Sequence, residues 1–134
     1  MAPSPDGASL AVSGKHGRLA LVATADLSTR RGLTGLTATV DPLLWSPDGE
    51  RLWAATSRGE LAVWPVADGQ LLARVAAHSG RVFDLALSPD GAWAATAGGD
   101  HRVGLWRADT LDVDAGVALA EALARFGGTE GEAR

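Results

Sequence analysis

His78, Thr96 and Asp100 are the residue types of a general base, a hydroxyl nucleophile and an orienting carboxylate, the set that activates a nucleophile for acyl transfer. Such a triad works only when the hydroxyl is open to substrate and the three groups sit in line. Other chemistry-bearing residues are sparse. His16, His78 and His101 fall in no His-Glu-x-x-His pattern and have no acidic neighbours at zinc-ligand spacing, and the absence of cysteine removes both thiolate ligands and disulfides. Gly14-Lys15 lacks the upstream glycine and the following Ser or Thr of a phosphate loop, and Gly98-Gly99 opens no helix. No metal and no cofactor is expected.

Charge and hydropathy exclude further classes. Twelve Lys plus Arg stand against sixteen Asp plus Glu, a net charge of -4, and neither sign gathers into a run that would mark nucleic acid or an anionic membrane as a partner. Apolar runs such as Leu19 to Ala23 fall far short of the roughly 18 residues a spanning helix requires. Met1 to Ser13 carries Pro3, Pro5, Asp6 and Gly7 where a secretion signal would need a basic start and an apolar stretch. The expectation is a globular chain in the cytoplasm.

The elements that must position these residues follow from a repeat. Ser-Pro-Asp-Gly occurs at Ser4 to Gly7, Ser46 to Gly49 and Ser88 to Gly91, twice offset by 42 residues, and the same offset pairs Leu10 with Leu52, Val40 with Val82, Leu43 with Leu85 and Trp64 with Trp106. A period in the forties marks one supersecondary unit per repeat, each stacked on its neighbours. Within a unit, Val82 to Leu87, Leu61 to Trp64 and Arg102 to Trp106 are short, apolar-rich and bounded by turn residues, which reads as strands. Pro is preset for the second position of a tight turn, Asp bonds its own backbone and Gly tolerates positive φ, so each Ser-Pro-Asp-Gly joins two strands. Thr56 to Gly59 and Gly98 to His101 read as the next turns.

The stretch from His78 through Val82-Phe-Asp-Leu-Ala-Leu-Ser-Pro-Asp-Gly91 and Ala95-Thr-Ala-Gly-Gly-Asp100 to Gly104-Leu-Trp106 resembles the WD-repeat family. The resemblance implies four-stranded antiparallel blades of a β-propeller. It also implies a buried hydrogen-bonded tetrad, which by position is His78, Thr96, Asp100 and Trp106. Donor and acceptor chemistry agrees with that set, since indole only donates, hydroxyl and imidazole do both, and carboxylate accepts. The triad reading then loses ground, because the repeat places Thr96 inside a packed strand beside Trp106, and no catalytic residue is expected. The other units depart from the pattern, with Leu36, Ala54, Arg58 and Trp64 in the second and Val12, His16 and Val22 in the first. Trp45-Ser-Pro-Asp-Gly49 is also similar to repeats of the TolB-type propellers.

WD-repeat proteins bind other proteins on the rim where the innermost strands begin, which here implies Thr39, Asp41, Arg81 and Phe83, with the arginine and the aromatic the stronger candidates. The expected organisation is a first repeat over 1–39 lacking its innermost strand, a second over 40–81, a third over 82–113, and a C-terminal helix and tail over 114–134. Asp114 would cap that helix, and Leu123 and Phe126 would contact the third blade. The fold class is therefore all-β, an incomplete propeller segment, because propellers typically have four to eight blades. The missing blades would come from a longer chain, from self-association or from another subunit. A propeller-type hydrolase or lyase is the alternative reading.

Overall fold

The computed structural model describes residues 1–108, which form three antiparallel sheets and, apart from strands, one 3-10 turn at Lys15–Gly17. The first sheet orders β1 (Ala2–Pro3), β2 (Ser9–Ser13), β3 (Leu19–Ala23) and β4 (Thr29–Leu33). The second orders β5 (Val40–Trp45), β6 (Arg51–Thr56), β7 (Glu60–Pro65) and β8 (Ala73–Ala76). The third contains β9 (Val82–Leu87), β10 (Trp93–Gly98) and β11 (Val103–Arg107). Sequential strands are neighbours throughout, so each sheet is a meander and the three are successive blades of an incomplete propeller. The innermost position of the first sheet, expected to be empty, holds the two-residue strand β1, whose Ala2 and Pro3 pair with Ala11 and Leu10 of β2. The last residues of the third repeat, 109–113, and the helix and tail expected over 114–134 lie outside the described residues.

All three Ser-Pro-Asp-Gly turns use one hydrogen-bond scheme. The Ser hydroxyl donates to the Asp carboxylate at 2.6, 2.5 and 2.6 Å for Ser4–Asp6, Ser46–Asp48 and Ser88–Asp90. The same carboxylates accept the N–H of Ala8, Glu50 and Ala92, and the Ser oxygens accept the N–H of Ser9, Arg51 and Trp93. Gly7, Gly49 and Gly91 take φ of 74°, 76° and 73°, the left-handed region a residue without Cβ enters freely.

Side-chain alternation sends the two faces of the middle sheet to different neighbours. Leu52, Ala54, Ala62 and Trp64 pack against Ala11, Leu19, Leu21 and Leu33 of the first sheet. Trp53, Ala55, Leu61 and Val63 pack against Val82, Leu85, Ala94 and Trp106 of the third. A strand buried on both faces must be apolar at every step, which explains the unbroken runs Leu52 to Ala55 and Leu61 to Trp64. Full burial of the Leu and Val side chains among them stabilises by about 1.5–3 kcal/mol each.

The innermost strands share an irregularity. β5 shifts register between Val40 and Leu43, where Pro42 has no N–H for the ladder, and β9 shifts opposite Ala97 and Gly98, at Phe83. The shift turns Asp41 and Phe83, equivalent in the repeat, outward at the rim.

Candidate functional site

The structure brings His78, Thr96, Asp100 and Trp106 into one hydrogen-bonded chain, with His78, Thr96 and Trp106 buried and Asp100 half-buried. β10 carries Thr96 between Leu85 of β9 and Gly104 of β11, and β11 carries Trp106 one pleat beyond Gly104. The Trp106 indole N–H donates to Thr96 Oγ1 at 3.0 Å. Thr96 Oγ1 lies 2.7 Å from His78 Nε2, and His78 Nδ1 lies 2.9 Å from Asp100 Oδ1. One assignment satisfies every atom: the Thr96 hydroxyl donates to Nε2, and Nδ1–H donates to the carboxylate. Asp100 also accepts the N–H of Ser79 and of Arg102, both at 3.1 Å. Burial works to raise the Asp100 pKa, but the Ser79 N–H, the His78 ring and the Arg102 N–H together outweigh it and hold the carboxyl below its ordinary value.

Glycines make room for this chain. A Cβ on Gly98 would stand 2.4 Å from His78 Nδ1, and one on Gly104 would stand 2.5 Å from Trp106 Nε1 and 2.7 Å from Thr96 Oγ1. At Gly59, φ of 88° and a clearance of 2.0 Å from a notional Cβ to the His78 carbonyl leave no alternative residue, and its own carbonyl receives the Ala77 and His78 N–H groups. In the sequence Gly59 and Gly98 read as turn residues and Gly104 as part of the WD-repeat-like stretch, without the close approach that each makes here.

The equivalent place in the second sheet is apolar. Leu36 and Ala54 stand where His78 and Thr96 do, both buried, and the Trp64 indole donates instead to the Thr34 carbonyl at 2.9 Å. Arg58, at the Asp100 position, is exposed. In the first sheet Val12 and Val22 replace the Thr and Trp, and His16 is exposed in the turn.

Residues 69–107 match the family model for the WD domain, G-beta repeat, WD40. That segment is similar to a WD40 repeat. No curated protein matches the chain. The matched stretch begins before β8 in the second sheet and ends with β11 in the third, so the WD40 unit of sequence straddles two blades.

Asp100, His78 and Thr96 stand in the order of a hydrolytic triad, yet the Thr96 residue is 2% exposed and its oxygen already serves both Trp106 and His78. Substrate has no approach to it. Among the described residues no group of three or more His, Asp or Glu side chains is placed to hold a metal ion. Nor is any helix among them long and apolar enough to cross a membrane.

The rim candidates of the WD40 repeat and its neighbour sit together at the start of β5 and β9. The Thr39 carbonyl accepts the Ser57 N–H at 3.0 Å and the Arg81 carbonyl accepts the Gly99 N–H at 2.7 Å, which pins both backbones to adjacent turns while the side chains of Thr39 and Arg81 stay exposed. Arg81 reaches across the blade junction to within 3.9 Å of Asp41. Phe83, 67% exposed, lies over Gly99 rather than between blades.

Proposed function

We propose that the chain is a non-catalytic scaffold that docks another protein on the rim formed by Thr39, Asp41, Arg81 and Phe83. The observation that carries the reading is Phe83, a large aromatic held outward by a strand irregularity and backed by a glycine. Isolated exposed apolar residues are common, but this one adjoins an Arg–Asp pair bridging two blades, and arginine and aromatics are enriched among binding hot spots. WD40 repeats generally mediate protein–protein interaction, and the buried tetrad serves to hold the rim turns in place. The remaining blades come from outside these three sheets, whether from a longer chain, a second copy or another subunit, and the working compartment is the cytoplasm.

The test is a photo-crosslinking amino acid placed at Phe83 and, separately, at Glu50 on the opposite rim, within the source cell. A discrete protein adduct from position 83 alone, lost with Arg81→Glu, supports the rim. Adducts of equal yield from both positions, or none from 83, sink it.

A further inference from the structure

Apart from Leu105, the two ends of the arc present faces less buried than their counterparts in the middle blade. In the second sheet, Leu52, Ala54, Ala62 and Trp64 are 0% exposed against the first sheet, and Trp53, Ala55, Leu61 and Val63 are at most 1% exposed against the third. Moving the first set back by one repeat of 42 residues gives Leu10, Val12, Ala20 and Val22, the outer face of the first sheet, all half-buried. Moving the second set forward gives Ala95, Ala97, Val103 and Leu105, the outer face of the third sheet, where Leu105 is buried, Ala95 and Ala97 are half-buried and Val103 is 62% exposed. None of these eight residues belongs to either core cluster among the described residues.

The repeat therefore states what each face is shaped to receive. A face of the type 53/55/61/63 packs on a face of the type 52/54/62/64, as the junction between the second and third sheets shows. Among the described residues, one face of each type lies outside both core clusters, at opposite ends of the arc. We propose that they are each other's partners: the Ala95/Ala97/Val103/Leu105 face of one copy packs on the Leu10/Val12/Ala20/Val22 face of a second copy, and two copies close a six-bladed ring. A head-to-tail contact of this kind closes into a ring when its rotation allows and otherwise runs on as a filament. The described residues of each copy bring three blades, and six is the one multiple of three within the usual range of four to eight. The proposal rests on the propeller architecture of the scaffold reading and is independent of its rim.

Light scattering on the full chain tests it. The wild type should have a discrete mass twice 13.7 kDa. Val22→Arg and Val103→Glu, one on each of these end faces, should separately give monomers with unchanged far-ultraviolet circular dichroism, and their equimolar mixture should return to the dimer, since one junction is then wild type and the other pairs Arg with Glu. Val103, already exposed, is the variant that keeps its fold most readily. A wild-type monomer at all concentrations, an open-ended ladder of masses, or dimers that survive both substitutions would overturn the ring. Arg81→Glu should leave the mass untouched, so loss of the rim crosslink and loss of the dimer are separate results.

Discussion

At the scale of residues, the tetrad and its apolar counterpart are two solutions to filling one space. The third sheet sets Thr96 opposite Gly104, and the second sets Ala54 opposite Ala62, so a hydroxyl-bearing residue appears only where its neighbour gives up a methyl group. Gly104→Ala should therefore crowd the Trp106–Thr96 bond and cost about 1–3 kcal/mol by chemical denaturation, as overpacking typically does. In a Thr96→Ala background the same change should cost distinctly less, giving a coupling energy of about 1 kcal/mol in a double-mutant cycle. Simple additivity would mean that the two positions do not share the space. Thr96→Val alone leaves the indole N–H and the imidazole nitrogen unpaired and should cost about 1–3 kcal/mol. The identity of the four side chains was legible in the sequence through their resemblance to a known repeat. The glycines around them were not, because the need for an absent Cβ appears only once neighbours are in place.

At the scale of elements, the turns make stability depend on acid. Hydrogen bonds from the hydroxyls of Ser4, Ser46 and Ser88, then from backbone N–H groups, lower the pKa of Asp6, Asp48 and Asp90. Asp100 is lowered as well, its hydrogen bonds prevailing over burial. A carboxyl with a depressed folded pKa binds fewer protons folded than unfolded, so its contribution is complete above the unfolded value of about 3.9 and is lost as pH falls through the folded one. Thermal midpoints should hold steady from neutral pH to about pH 5 and then decline in acid, given unfolded values near 3.9. Ser46→Ala with Ser88→Ala should flatten the decline, and an unchanged acid limb would remove these turns from the account. The Ser-Pro-Asp-Gly spacing announced the turns and strand directions. The register shifts at Asp41 and Phe83 were invisible, since in sequence an extra residue in one strand looks like any other residue.

At the scale of the whole molecule, burial is graded outward from the middle. β6 and β7 are covered on both faces, whereas β3 alternates buried with half-buried positions and β9 is largely exposed at its centre. Amide exchange should accordingly be slowest in β6 and β7 and faster in β9 and β10, because local opening follows the apolar contact each strand must give up. Uniform protection across all three sheets would show instead that the arc unfolds as one unit. The period of 42 residues made the number of blades readable, but not which faces meet, which depended on following alternate side chains across each sheet.

The overlap of the WD40 match with two sheets has a consequence for how such a chain grows. A genetic segment of one repeat length, copied from any starting point, carries part of one blade and the complementary part of the next, like a roof tile cut with its own lap joint. Duplication then lengthens the arc with the mating seam already inside the duplicated piece, whereas a cut between Ala76 and Val82, where the sheets divide, would sever the WD40 unit and part His78 from the strand end that precedes it.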